Sequence, residues 1–196
     1  ENIYFTCCLK LRQVVIREGN QMNAVSAPLP QGTSVKPEDF TLAMGAAATG
    51  VTVVTTQGVA GRLGLTVSAI SSVSAEPPLL LVCVNRRNPS VAAITQNGRF
   101  AVNILGDHQT DVARTFSGRP ASGVAYDFER HVWQEGKFGM PLVAGAAAHF
   151  ECEIETIHDA GTHRIFIGRV VSTARGKSSP LIYSNRKFGR MAALDG

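Results

Sequence analysis

A mainly β fold, a small barrel with short flanking helices, is what this sequence predicts, and three observations predict it. Apolar and hydroxyl side chains alternate from Leu63 to Val73, the two-residue period of a strand whose faces differ in chemistry. Leu79-Leu80-Leu81-Val82-Cys83-Val84 follows as a continuous apolar run of strand length, after a stop at Pro77-Pro78. Further short runs of strand character recur along the chain, with only short helical patterns between them.

Taken in order, residues 22–36 form a Pro-rich lead. Pro37 to Ala48 reads as a helix, with proline at its start and Phe40, Ala43, Met44 and Ala47 on one face. Strands are expected near 51–57, 63–73, 79–85 and 100–105, and helices over Pro89–Gln96 and Gln109–Phe116. Ser117 to Arg130 carries Gly118, Pro120 and Gly123 and reads as a long loop, a kind of segment usually tied to function. Strands return near 131–135, 149–158, 163–174 and 180–184. In the second of these, Phe150, Cys152, Ile154 and Thr156 alternate with Glu151, Glu153, Glu155 and Ile157, so one face is expected to be acidic and solvated.

Composition sets the bounds. A chain of 196 residues is one domain of ordinary size. It has no apolar stretch of the length needed to span a bilayer as a helix, so no membrane is expected. The net charge of +4 is mild and its cations are scattered, unlike the basic stripe of a nucleic-acid binder. Glu1-Asn2-Ile3-Tyr4-Phe5-Thr6 is similar to a tag-removal protease site, and Met22 suits a natural start. Residues 1–21 are therefore expected to be an appended tail and 22–196 a single domain. Val14-Val15-Ile16 is too short for the core of a leader peptide, and Leu9 to Ile16 has the alternation of an adventitious strand. Cys7 and Cys8 fall in that tail. Cys83 and Cys152 stand alone inside predicted strands, so no metal cluster is expected, and reduced thiols suit a cytoplasmic protein.

A hydroxyl-lined strand face is costly in a core, because each buried hydroxyl needs a partner; it suits a polar ligand that supplies one. Thr66, Ser68 and Ser72 lie on that face with Gly64 and Ile70. The stretch from Gly61 to Pro78 resembles the flavin-binding signature of the flavin reductase-like, FMN-binding split-barrel family. The resemblance continues in Thr49 to Thr56, similar to the family's first barrel strand. Asn85-Arg86-Arg87-Asn88-Pro89-Ser90 sits where the family has a phosphate-contacting loop. Phe100-Ala101-Val102-Asn103-Ile104-Leu105 is similar to its F-x-V-N-x-L strand. Gly161-Thr162-His163 with Gly168 and Val170 resembles its G-D-H motif, and Pro180-Leu181-Ile182-Tyr183 its closing P-L-x-Y. Thr162 departs from the family, standing where an aspartate is usual. Together these segments cover roughly residues 40–190.

The resemblance implies a Greek-key split barrel that pairs as a homodimer with flavin at the subunit boundary. It places flavin contacts at Thr66, Val67, Ser68, Ala69, Ser72, Asn85 and Asn103. Arg86, Arg87 and Ser90 are expected at the flavin phosphate, since a helix start and an arginine both suit an anion. At most one of the two arginines is expected to reach it. Phe116 and the loop after it are expected to form a lid or wall beside the ring.

No G-x-G-x-x-G opens a helix, and Gly58 to Gly64 is only a loose glycine cluster. A nicotinamide donor must therefore dock directly over the flavin, with His163 as the residue expected to position it. Flavin carries the redox chemistry, so the lack of G-x-S-x-G, H-E-x-x-H or paired carboxylates fits. The expected activity is an NAD(P)H-dependent flavin oxidoreductase using FMN or FAD with NADH or NADPH, feeding reduced flavin to a monooxygenase component or to free flavin. Two alternatives stand beside it: a flavin-dependent cob(II) corrin reductase, and a flavin- or haem-binding split barrel without turnover.

Overall fold

The computed structural model describes residues 35–194. The tail 1–21, its adventitious strand at Leu9 to Ile16, and most of the Pro-rich lead lie outside the described residues.

The chain opens with helix α1 (Pro37–Gly45), started by its proline and carrying Glu38 and Asp39 in the first turn, where the helix dipole favours them. It ends three residues earlier than the sequence suggests. The expected apolar face is not buried among the described residues, for Phe40 is 61% and Met44 55% exposed.

Seven antiparallel strands form the main sheet. They are β2 (Thr52–Thr56), β3 (Leu63–Val67), β4 (Ile70–Ala75), β5 (Pro78–Asn85), β6 (Arg99–Ile104), β9 (Ala148–Ala160) and β10 (His163–Arg175), in the spatial order β3-β2-β6-β9-β10-β5-β4. The alternating stretch 63–73 is not one strand. It breaks at Ser68-Ala69, and its halves lie on opposite edges of the sheet. A two-residue link between the edges forces the sheet to curl almost closed, which is the barrel. The break is stitched by Ile70 N–H to the Ser68 carbonyl at 3.2 Å and Cys83 N–H to the Ala69 carbonyl at 3.0 Å.

Strand β2 is buried on both faces, which is why Val51 to Thr56 shows no clean alternation. Val54 packs inside the barrel with Leu65, Val82, Val84, Ile94, Phe100, Cys152 and Phe166. Val53, on the other face, packs with Leu105, Val112, Phe116, Val143 and Leu181. The buried threonines of β2 are satisfied by backbone: Thr52 donates to the Val67 carbonyl at 2.8 Å, Thr55 to Pro141 at 2.6 Å and Thr56 to Arg99 at 2.7 Å. Gly168 is needed where β10 crosses Phe100, because a Cβ there would lie 2.6 Å from the ring. Burial pushes the Cys152 thiol up to about 12 and raises that of Cys83, so neither is a ready nucleophile.

Helices α2 (Ser90–Asn97) and α3 (Thr110–Phe116) cover the sheet. Two short strands are absent from the sequence expectation, β8 (Pro141–Val143) and β12 (Lys187–Arg190), and the first strand expected over Thr49 to Thr56 is divided at Val51 into β1 (Thr49–Gly50) and β2. Strand β1 pairs with β11 (Leu181–Ser184), which pairs with β12, and β8 pairs with β7 (Trp133–Glu135). Segments of two to four residues are too short to show a period.

The acidic face expected of β9 needs a correction. Glu151 is only 2% exposed. Its carboxylate accepts the N–H groups of Lys137 at 3.0 Å and Phe138 at 2.9 Å, tying down the β7–β8 turn. Glu153 is half-buried between Arg99 at 2.9 Å and Arg169 at 3.2 Å. Of that face, only Glu155 is exposed.

Candidate flavin and dinucleotide site

Where β3 ends, a groove of about 990 Å³ opens between that strand, α3 with its following loop, and the β11–β12 hairpin. Thr66, Val67 and Ser68 form its strand side, as the alternation suggested. The two hydroxyls are not equivalent. Thr66 is half-buried and donates to the Ala113 carbonyl at 2.8 Å, so it ties α3 to the barrel and keeps only acceptor capacity for a ligand. Ser68 is exposed, as is Ala69 beside it. Ser72 lies beyond the break on β4, exposed, and its carbonyl accepts from Ser71 Oγ at 3.1 Å.

The second group of expected residues gathers where β5 ends and β10 begins. Asn85 pairs in register with His163 across these strands. The link to the groove is short, since Ala69 bonds to Cys83, two residues before Asn85. Much of the loop's polarity is already used. Asn85 Oδ1 accepts the Arg87 N–H at 3.0 Å, and Asn88 Oδ1 accepts the Ser90 N–H at 2.9 Å. The Asn88 carbonyl takes the Val91 N–H at 3.0 Å. Two N–H groups at the start of α2 are therefore spent on the loop itself, and Ser90 is 2% exposed. That corrects the expectation of a free helix start offered to phosphate.

Arg86 is likewise engaged. Its backbone N–H donates to the Thr162 carbonyl at 3.0 Å, and its guanidinium reaches the Gly161 carbonyl at 3.5 Å and Asp159 at 3.7 Å. Asp159 also takes a bidentate grip from Arg164 at 2.7 and 3.1 Å. The Arg164 hydrogen bonds hold the Asp159 carboxyl below its usual range. Arg86 thus locks the β9–β10 hairpin onto the loop. Arg87 is exposed, and its guanidinium has no hydrogen-bond or ion-pair partner among the described residues.

His163 stands exposed on that hairpin, its Nδ1 2.9 Å from the Thr162 hydroxyl. Where the family carries an aspartate, the histidine here meets a neutral hydroxyl.

Two expected contacts belong to the core. Asn103 is fully buried: its amide nitrogen donates to the Val53 carbonyl at 2.9 Å and Thr55 Oγ1 at 3.3 Å, and its oxygen accepts the Val143 N–H at 2.9 Å. The same oxygen lies 2.9 Å from His149 Nδ1, so that nitrogen carries the proton. Burial lowers the pKa of His149 from 6.5, which favours this neutral form. Phe116, 1% exposed, is no lid. Its ring packs edge-on against Phe128 and Trp133 at centroid distances of 4.9 and 5.4 Å. Gly64 makes room for it, as a Cβ there would lie 2.9 Å from the ring.

Several groove residues carry no signal in the strand pattern. Arg114, Arg119, Arg186 and Lys187 all line it, with Tyr183 and Phe188. The Arg114 guanidinium sits 5.9 Å from the Phe188 ring centroid. The lining includes no carboxylate. Such a groove fits an anionic, aromatic, hydroxyl-bearing ligand, as a flavin nucleotide or a nicotinamide dinucleotide is.

A curled seven-stranded barrel with this groove at its split edge is the frame of a flavin-dependent oxidoreductase. Residues 44–192 match the flavin reductase like domain family, and the chain belongs to that family. It is 40% identical over 150 residues to an FMN reductase (NADH) RutF 1 of Methylorubrum extorquens, covering 76% of this chain and 74% of that protein. It is 32% identical over 157 residues to the reductase component of 4-hydroxyphenylacetate 3-monooxygenase of Pseudomonas aeruginosa, covering 80% of this chain and 92% of that one. The NADH:FAD oxidoreductase SgcE6 of Streptomyces globisporus superposes with a TM-score of 0.73 at 35% identity, covering 84% of this chain and 100% of that one. The same oxidoreductase is known in complex with NAD and FAD fragments. The enzyme class is therefore that of the flavin reductases, with a flavin and a nicotinamide dinucleotide as its cofactors.

Proposed function

We propose that this chain works as a cytoplasmic homodimer that reduces FMN or FAD with NADH and hands reduced flavin to a monooxygenase component. The observation that carries the reading is the groove at the end of β3. It joins Thr66, Val67 and Ser68 to Arg114, Arg119, Arg186 and Lys187, four cations with no ion-pair partner among the described residues, and the sequence carries no Rossmann fingerprint. The Pseudomonas reductase component lends support for a monooxygenase partner. Pairing is supported by α1, whose Phe40 and Met44 share one face and are 61% and 55% exposed, an apolar surface suited to a second copy of the chain.

A bound flavin would supply the redox chemistry, accepting hydride from the nicotinamide donor. The residues of the chain bind and orient. In this reading, the exposed backbone at Ser68-Ala69 and the Ser68 hydroxyl meet the polar edge of the ring. Arg87, whose guanidinium has no partner among the described residues, meets the flavin phosphate, while Arg86 and Asp159 hold the hairpin that carries His163. His163 positions the nicotinamide and needs no charge to do so.

The test is NADH oxidation by the purified protein with a panel of acceptors: free FMN, free FAD and a cob(II) corrin. Turnover with free flavins supports the reading. Turnover with the corrin alone selects the corrin reductase instead, and no turnover with any acceptor selects a flavin-binding barrel.

A further inference from the structure

Thr162 and His163 adjoin at the tip of the β9–β10 hairpin. His163 pairs with Ala160, so Gly161 and Thr162 alone make the turn. Gly161 takes a φ of 56°, the left-handed backbone that the first central residue of such a turn requires, and Thr162 needs no positive φ. The turn is pinned from the side by the loop after β5. Arg86 donates its backbone N–H to the Thr162 carbonyl at 3.0 Å, and its guanidinium reaches the Gly161 carbonyl at 3.5 Å. The Thr162 backbone is therefore held, with its hydroxyl 2.9 Å from His163 Nδ1. Neither that hydroxyl nor His163 Nε2 has another partner among the described residues.

The charged and titratable groups around the ring are otherwise engaged or distant from it. Arg164 follows it on β10, His158 and Asp159 lie across on β9, and Arg86 and Arg87 stand on the loop after β5. Asp159 is gripped by Arg164 at 2.7 and 3.1 Å and approached by Arg86 at 3.7 Å. No carboxylate lies within ion-pair distance of His163 among the described residues.

A hydroxyl both donates and accepts, whereas a carboxylate only accepts. Beside a carboxylate, a neutral imidazole must carry its proton on Nδ1, and Nε2 is left as an acceptor. Beside the Thr162 hydroxyl, the neutral ring can accept O–H at Nδ1 and keep its own proton on Nε2. When the ring takes up a second proton the hydroxyl reverses its role and accepts from Nδ1–H, and Nε2–H is unchanged. We propose that Thr162 is a positioning residue for hydride transfer: it holds His163 with Nε2 as a hydrogen-bond donor in both charge states, presented to the carboxamide oxygen of the nicotinamide. The proposal deepens the reductase reading and rests on it for His163 as the contact of the donor.

The experiment has two readouts on the parent, Thr162→Asp, Thr162→Val and Thr162→Ser. The first is nitrogen-15 NMR of the imidazole rings in the flavin-free protein, with His163 assigned by its absence in His163→Ala. Above about pH 8, beyond the range where an imidazole ordinarily titrates, the parent and Thr162→Ser are expected to carry the ring proton on Nε2. Thr162→Asp is expected to carry it on Nδ1, and Thr162→Val to show a mixture. The second is stopped-flow reduction of the flavin-loaded protein by NADH between about pH 6 and pH 9. Relative to the parent, Thr162→Asp is expected to react equally fast at the acid end and about tenfold more slowly at the alkaline end, where its Nε2 has lost the proton. Thr162→Val is expected to lose up to about tenfold at the alkaline end, the worth of one neutral hydrogen bond, and Thr162→Ser to restore the parent rate. Dithionite is expected to reduce all four at a common rate. A neutral parent ring with its proton on Nδ1 overturns the proposal, and so does a Thr162→Asp rate that keeps the pH dependence of the parent. A parent ring protonated on Nε2, beside a His163→Ala variant that NADH reduces at the parent rate, keeps the hydrogen bond but removes the donor contact; the placement of the nicotinamide in the reductase reading then fails, and the proposal with it.

Discussion

The rim of the groove and the loop at the end of β5 both carry residues that the sequence marks for a ligand, yet they differ in what is left to give. At the rim, Ser68 is exposed and four cations have no ion-pair partner among the described residues. In the loop, Arg86, Asn85 and the Ser90 N–H are bonded to neighbours, and the Arg87 guanidinium has no partner among the described residues. A polar residue near a site is available to a ligand only when its neighbours have not consumed it. In the proposed reading the loop holds shape and the rim binds, and Arg87 and His163 are the loop region's proposed ligand contacts. Four sets of substitutions break or sharpen that contrast.

The largest effect is expected at His163. His163→Ala leaves flavin affinity intact and slows reduction by NADH on the order of a hundredfold, the cost of misplacing a reacting pair by about an ångström. Dithionite, which needs no docking, still reduces the bound flavin at the parent rate. Stopped-flow traces with both reductants check this, and a parent rate with NADH would make the histidine structural.

Next in size is Asn103→Ala. It strands the Val143 N–H and empties a buried network, so unfolding in denaturant is expected to show a loss of about 3 kcal/mol. Flavin affinity of the protein that remains folded is expected to be unchanged. A selective loss of flavin with full stability would return Asn103 to the site.

Within the loop, the two arginines are expected to separate. Arg87→Ala weakens flavin about tenfold, as one charged hydrogen bond of roughly 1.5–3 kcal/mol implies. Arg86→Ala leaves the phosphate contact in place but loosens the hairpin, raising the KM for NADH more than the Kd for flavin. Fluorescence titration of flavin beside steady-state kinetics distinguishes them; equal flavin losses in both would merge their roles.

The smallest effect separates the hydroxyls of the rim. Thr66→Val removes the bond to Ala113 and costs about 1 kcal/mol of stability. Ser68→Ala costs the fold almost nothing and weakens flavin instead. Thermal unfolding paired with flavin titration reads both quantities on the same two variants.

The strands and helices were largely legible in the sequence because their periods are long enough to register. The break at Ser68-Ala69 was not, since alternation runs through it unchanged and only pairing shows that the halves face opposite edges. The hydroxyl pattern pointed to Thr66, Val67 and Ser68, which line the groove, and the motifs pointed to Arg87 and His163 as proposed contacts. Asn103 and Phe116 look the same in sequence whether they face a ligand or the core, and partners such as Val143 and Trp133 lie far along the chain. Glu151 deceived for the same reason: its alternation marks a face, but the β7–β8 turn folds over that face and buries it. Arg114, Arg119, Arg186 and Lys187 were missed because charges about seventy residues apart converge only in the fold. One local signal was available, the Ser184-Asn185-Arg186-Lys187 turn, where two cations follow a residue that favours positive φ.

Anaerobic mixing of the flavin-loaded parent protein with NADH tests the central claim most directly. The account predicts that the visible absorbance of the oxidised flavin bleaches in a single phase whose rate saturates with NADH, as docking before transfer requires. A loaded protein that stays yellow in excess NADH, yet bleaches with dithionite, would contradict it.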